Sequence, residues 1–402
     1  MYREPVSGLP PGLPAGTGLG PEQLRHRSPK LMRILVLTKR QYMGRDLLDD
    51  RYGRFRELPL ALASEGHQVD GLCLSYRRRQ EGRQADTSAA ARVAWRSLNA
   101  WRLLPVGPRS YWRELDRIAS ETHPDVVWAC SDAPHALLGV RAARRLGAKL
   151  VIDLYDNFES YGLTRLPGMR AALGRAVRAA DGVTCVSEPL AGLVRNQYGY
   201  SGPIEVIENA VPADAFRPIN REQARAILKL PQDAVLIGTA GSLSRSRGIE
   251  VLFTAFSRLA EQQPDVHLVL AGHKDRDVML PNSSRVHYLG LLPPDRVPVL
   301  LSALNVSVIC NRESAFGSYC FPQKFYESVA CGVPVISAGV GAMRELLKDR
   351  PANRFEPEDS DSLLQKLREQ IALPTPVPLS VPTWNDLGER LTAFLGGVVG
   401  RL

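Results

Sequence analysis

Short apolar runs alternate with amphipathic stretches along most of the chain. Arg33-Ile34-Leu35-Val36-Leu37 is the first run and has the form of a strand buried on both faces. A polar loop over 38–51 follows, holding the single glycine Gly44. The spacing then predicts a helix over 52–65, with Phe55, Leu58, Ala61 and Leu62 on one face, ended by Gly66. Val69 to Leu74 is the next strand. His123 to Trp128 reads as a turn into a strand, and Pro134 to Leu146 as a helix closed by Gly147. A strand from Leu150 ends near Asp153, which leaves Tyr155 and Asp156 at its carboxyl edge, where α/β proteins gather their active sites. The rhythm continues as a helix over 168–180, a strand over 183–186, a helix over 189–197 and a strand over 204–207. It restarts with a strand over 234–240, the loop 241–248, and a helix with Ile249, Leu252, Ala255, Phe256 and Leu259 inside. Strands over 266–271, 286–291 and 306–310 follow, with a helix over 295–303. After a Pro-rich crossover, 374–382, the last helix covers 384–395. Such alternation predicts an α/β chain with parallel sheets.

The stretch from Phe316 to Glu345 concentrates candidate chemistry. Pro322 suits the first turn of a helix, where a missing N–H costs nothing. Phe325 and Val329 share one face of that helix; Lys324, Glu327 and Ser328 lie on another. Cys331-Gly332 ends it, Val333 to Ile336 reads as a short strand, and Gly341 and Glu345 start the next helix. Alone, Lys324 and Glu327 read first as an ordinary salt-bridge pair three residues apart. The loop Gly241-Ser242-Leu243-Ser244-Arg245-Ser246-Arg247-Gly248 meets the needs of a diphosphate. Small residues let backbone amides approach, and guanidinium groups pair with phosphate oxygens in bidentate fashion. The first strand is not followed by G-x-G-x-x-G, which argues against a nicotinamide enzyme.

Composition narrows the partners. The 402 residues suffice for two or three domains. A net charge of +9 suits phosphate-bearing substrates, an anionic membrane face or nucleic acid. Aromatic residues are not interleaved with the basic ones in the manner of single-strand binders, so no nucleic-acid partner is expected. Arg77, Arg78, Arg79 and Arg83 form a basic run in a loop, with Arg102, Arg109 and Arg113 soon after. It is either a solvated face or a contact for anionic lipid headgroups or a lipid-linked diphosphate. The six cysteines contain no C-x-x-C pair, which suggests reduced thiols in a cytoplasmic protein rather than zinc or disulfides. No apolar run approaches the roughly 20 residues of a membrane span. Residues 1–30, rich in Pro and Gly and with Arg25, His26 and Arg27 near their end, read as a disordered leader.

The order P-x-K-x-x-E from Pro322, then A-C-G-x-P-V-I-S from Ala330, then G-x-x-x-E from Gly341, resembles the donor site of retaining, GT-B-fold nucleotide-sugar glycosyltransferases of the family-4 type (glycosyl transferases group 1). The G-H-x-V step at Gly66, Val186-Ser187 and the segment 207–212 are similar too, so the resemblance spans about residues 31–395. It implies two Rossmann-like domains facing across a cleft, with a C-terminal helix returning to the N-terminal domain. The acceptor-binding domain would be 31–211 plus 384–402, and the nucleotide-sugar domain 212–383. By this resemblance Glu327 holds the ribose hydroxyls and Lys324 faces the diphosphate. Arg247 fills the place of a family lysine. Ser242 replaces a family arginine, whose charge Arg245 is the candidate to supply. Gly241, Gly272, Phe321, Gly341 and Glu345 complete the nucleotide side, Gly290 lies near it, and Gly44 belongs to the acceptor side. Asp156 is the catalytic candidate with Arg247 and Lys324; Tyr155 stands where relatives carry a histidine. Asp153, Asp156 and Asn157 are equally read as caps of a following turn. Tyr319 stands where the family often has a first glutamate.

The implied activity is transfer of a sugar from a UDP-, GDP- or ADP-sugar to a glycan or lipid-linked acceptor with retention, in polysaccharide or glycoconjugate synthesis. The implied place is the cytoplasm, at the inner face of the membrane. That scheme needs no metal. Two alternatives stand beside it. The substitutions Tyr319, Ser242 and Tyr155 are those expected of a non-catalytic partner of the same fold, and a nucleotide-sugar epimerase shares that fold.

Overall fold

The computed structural model of the protein describes residues 31–42, 44–88, 91–100, 109–160 and 162–400; the leader with Arg25, His26 and Arg27, and Arg102, lie outside them. The first half carries β1 (Arg33–Lys39), a hairpin of β2 (Gln41–Tyr42) and β3 (Arg45–Asp46), β4 (Gln68–Ser75), β5 (Gly82–Thr87), β6 (Arg92–Asn99), β7 (Val126–Ala129), β8 (Lys149–Leu154), β9 (Gly182–Cys185) and β10 (Ile204–Val206). Its helices are α1 (Arg54–Ser64), α2 (Arg109–Thr122), α3 (Ala133–Leu146), α4 (Met169–Arg178) and α5 (Glu188–Tyr198). An 8-stranded sheet runs in the order β10-β9-β8-β7-β1-β4-β6-β5, parallel except for the antiparallel edge strand β5. The middle of β1, Ile34 to Leu37, is completely enclosed between β4 and β7, which is why it reads as an unbroken apolar run.

The second half contains α6 (Arg221–Leu228), β11 (Val235–Ala240), α7 (Ile249–Gln262), β12 (Val266–Ala271), β13 (Val286–Tyr288), α8 (Val297–Ala303), β14 (Val306–Ile309), α9 (Gln323–Ala330), β15 (Val335–Ala338), α10 (Ala342–Leu346), β16 (Arg354–Phe355) and α11 (Ser360–Ala372). Its 6-stranded sheet, β13-β12-β11-β14-β15-β16, is parallel throughout. The chain then returns. Helix α12 (Trp384–Val399) starts with a capping box, in which Thr383 and Asp386 satisfy each other's backbone N–H. It packs on α1 so closely that a Cβ on Gly388 would stand 2.6 Å from that of Ala61. His67 ties it down further, with Nδ1 accepting from Met32 N and Nε2 bonded to Thr392.

Several local expectations change. The basic run is not all loop: Arg83 lies in β5 and pairs with Glu121, while Arg79 faces Asp46 and Asp49. Strands β5 and β6 escaped the sequence because β5 is a polar edge strand with no apolar alternation. Pro322 is the residue before α9 rather than its first. The strand expected at Val333 begins at Val335, because Pro334 has no N–H to give a ladder and uses its carbonyl to accept from Ser307. The helix after Gly341 lasts only from Ala342 to Leu346.

Candidate functional site

The two sheets present their carboxyl edges to one crevice. On the second half, β11 and β12 end in Gly241 and Gly272, with φ of 124° and 129°. A Cβ on Gly272 would lie 1.8 Å from Gly241 O, so the two backbones pass at a distance only glycine allows. The place of a Cβ on Gly241 is 2.8 Å from Lys324 Nζ. Lys324 therefore reaches from the first turn of α9 across the end of β11.

Arg247 comes to the same place from the turn before α7. Its guanidinium lies over Phe316, 3.7 Å from the ring centre. Burial lowers the pKa of Arg247, with Cys320 and Asp156 opposing; burial and then Arg247 itself lower that of Lys324. What acts on both cations is desolvation and through-space charge, not a hydrogen-bonded carboxylate. They are two partly buried positive groups, close enough to disfavour each other. Such an arrangement is strained until an anion enters.

Glu327 is one turn beyond Lys324 on α9. Burial pushes its carboxyl up to about 7, opposed by Lys324 through space. The ordinary helix ion pair is not what the two residues form. From the first half, Tyr52 faces Glu327 and bonds Gln323, and its hydroxyl is pushed up by burial and then by Glu327. Asp156, just past β8, also faces the crevice: burial raises it to about 6, while Asn157 N–H, Arg247 and Lys39 pull the other way. Asp156 is at the same time a local cap, its Oδ1 accepting from Asn157 N at 2.7 Å. The loop that carries Phe316 is fastened to the first half, since Asn157 Nδ2 donates to Ala315 O and Ser187 Oγ to Tyr319 O.

Family models match the chain in two blocks: Glycosyltransferase Family 4 over residues 54–215 and Glycosyl transferases group 1 over residues 234–372. The chain belongs to the family-4 glycosyltransferases. The GDP-mannose-dependent alpha-(1-6)-phosphatidylinositol monomannoside mannosyltransferase of Mycolicibacterium smegmatis is 24% identical over 80% of this chain and 89% of its own length. Among solved structures, sucrose-phosphate synthase from Thermosynechococcus elongatus has a TM-score of 0.67 at 18% identity, covering 92% of this chain and 97% of that one. Anabaena HepE, in complex with UDP, has a TM-score of 0.63 at 18% identity over the same shares. These likenesses carry the two-domain GT-B architecture.

In this glycosyltransferase the crevice brings together Arg247, Lys324, Glu327, Gly241, Gly272 and Asp156. Other candidates go elsewhere. Arg245 is exposed and turned toward Glu250 and Asp277, so it does not supply the charge that Ser242 lacks. Ser242 and Glu345 are exposed. Phe321 packs on Tyr326 and against the cores of both halves, a joint between domains rather than a cradle wall. Gly341 is where Ser318 O passes, 2.5 Å from the place of its Cβ, and so fixes the 314–321 loop. Gly44 is exposed in the turn of the small hairpin, with nothing within 4 Å of the place of a Cβ. Asp153 is a structural residue, ion-paired with Arg54 with neither side chain exposed. Sequence reasoning missed Lys39, Tyr52 and Phe316. Lys39 was findable, since it closes the first buried strand at the edge where ligands bind. Tyr52 and Phe316 carry no such positional signal.

Proposed function

We propose that the protein transfers a sugar from a nucleotide-diphosphate donor to a glycan or lipid-linked acceptor, with retention at the anomeric carbon. The observation that carries this reading is the meeting of Arg247, Lys324 and Glu327 in one crevice with Asp156 opposite. The two cations neutralise charge as it grows on the departing diphosphate, in a site where water cannot compete. The backbone at Gly241 and Gly272 leaves room for phosphate oxygens, and the ionised carboxylate of Glu327 accepts from the ribose hydroxyls. Asp156 faces this place from the acceptor side. Attack then comes from the face that the leaving phosphate vacates, and that phosphate takes the acceptor proton. Because side-chain cations perform the neutralisation, the transfer proceeds without a resident metal, and a chelator leaves it unchanged.

The relative named as a phosphatidylinositol monomannoside mannosyltransferase supports a lipid-linked acceptor, and with it a role in cell-surface glycoconjugate synthesis at the inner membrane face is our reading. Exposed Arg77 and Arg113 are available for anionic headgroups. No helix among the described residues is long and apolar enough to cross a membrane.

Thermal shift with UDP, GDP and ADP gives the first test, since a site ligand raises the melting temperature by mass action. Nucleotide release from a panel of nucleotide sugars, with and without acceptor, gives the second. The product's anomeric configuration, read by NMR, gives the third. If none of the three nucleotides shifts the melting temperature, the reading is lost.

A further inference from the structure

The carboxyl edge of the first sheet encloses a cavity of about 420 Å³ that the donor crevice does not use. Tyr76, Pro134, Phe158 and Leu163 line it, with Lys39 and Asp132 among them. Its mouth leaves large apolar groups in water: Tyr76 is 48% exposed and Leu163 52%. Apolar side chains gathered in this way at a cavity mark a binding surface.

The carboxylate of the cavity is already hydrogen-bonded. Asp132 Oδ2 accepts from Tyr76 OH at 2.8 Å, and Oδ1 accepts from His135 N at 3.1 Å and stands 2.6 Å from His135 Nδ1. Lys39 Nζ donates to Tyr155 OH at 3.0 Å and faces both Asp132 and Asp156. An anionic group entering here would meet the Asp132 carboxylate in the lining and a Lys39 that already faces two carboxylates. An apolar group would instead take water away from Tyr76 and Leu163. Lys39 also fixes the location, because it lines the cavity and faces Asp156, which in turn faces Arg247.

Building on the transfer reading above, we propose that this cavity takes the acceptor through an uncharged apolar group, aromatic or alkyl, attached beside the hydroxyl that receives the sugar. Acceptors whose charge lies at that point, such as sugar phosphates, are excluded from it.

Calorimetry on the full chain tests this with octyl glucoside below its micelle concentration, 4-nitrophenyl glucoside, glucose and glucose 6-phosphate. Both apolar glycosides should bind at least about tenfold more tightly than glucose, and glucose 6-phosphate no more tightly than glucose. Leu163→Asp, at a half-exposed position where folding is not at stake, should remove the advantage of the glycosides, while Leu163→Met keeps it. Neither variant should change UDP, GDP or ADP affinity. Tighter binding of glucose 6-phosphate, no binding of the glycosides, or an unaffected L163D overturns the proposal. Should no nucleotide bind while L163D still abolishes glycoside binding, the transfer reading falls and the cavity assignment stands.

Discussion

Two shielded arginines, one in each half, sit in opposite circumstances. Around Arg54 everything is paired. Its Nε and Nη2 donate to Asp153 at 3.1 and 2.7 Å, its Nη1 to the carbonyls of Ile207 and Glu208, and Thr184 adds a bond to the same aspartate. Burial would lower its pKa, but Asp153 more than reverses that. Among the described residues, Arg247 meets a ring face and through-space charges but no hydrogen-bonded side chain, and burial lowers its pKa. One guanidinium stitches α1 and β8 to the segment after β10. The other is held ready beside Lys324 with its donors unspent. A buried cation whose donors are all taken belongs to the fold, and one whose donors are free belongs to a ligand.

That contrast is broken most sharply by exchanging the effects. Arg54→Ala should cost about 3–5 kcal/mol of stability by stranding Asp153, seen as an earlier midpoint in urea. Arg247→Met should leave that midpoint nearly unchanged and lower kcat about 10²–10³-fold. If R247M unfolds like R54A, the distinction drawn here is wrong. Lys324→Met should resemble R247M, and the double variant should lose less than the product of the two, since the side chains act on one anion.

Glu327 sharpens the comparison through pH. Burial pushes its carboxyl up to about 7, above the ordinary 4.5. The ionised form accepts from the ribose, so donor affinity should weaken as pH falls through about 7. Glu327→Gln should lower affinity at pH 8 by about tenfold and flatten the profile. The same shift acts on stability. The folded protein holds this proton more tightly than the unfolded chain does, so the contribution of Glu327 to stability falls as pH rises between about 4.5 and about 7. E327Q should remove that slope from the melting temperature. The smallest effect belongs to Tyr155→Phe, which takes one hydrogen bond from Lys39. It should cost about 1 kcal/mol or less and change acceptor KM rather than donor KM.

Much of this was legible in the residues themselves. Runs such as Ile34–Leu37 and Val266–Ala271 are apolar because parallel strands are covered on both faces, and both form strands of the sheets. The glycine loop and the P-x-K-x-x-E stretch pointed to Arg247, Lys324 and Glu327, which share the crevice. Arg245 was misjudged because residues two apart in a turn diverge, and local spacing does not tell which one turns inward. The polar strand β5 was invisible for want of periodicity, and α6 for want of a long apolar face.

By itself the sequence determined the alternation of strands and helices, the glycines at strand ends and the types of charge available near the donor. Those are short-range matters, settled by burial pattern and by backbone conformations that few residues tolerate. The tertiary structure alone decided which charges are neutralised and which are left without a partner. Arg54 and Arg247 are the same residue type, and Asp153 and Asp156 stand three apart on one segment, yet one of each pair is spent on the interior and the other faces the crevice. Partners such as Arg54 and Asp153, 99 positions apart, meet only when distant strands and helices pack together. Desolvation, which shifts the pKa of Lys324 down and that of Glu327 up, exists only once that packing has removed the water.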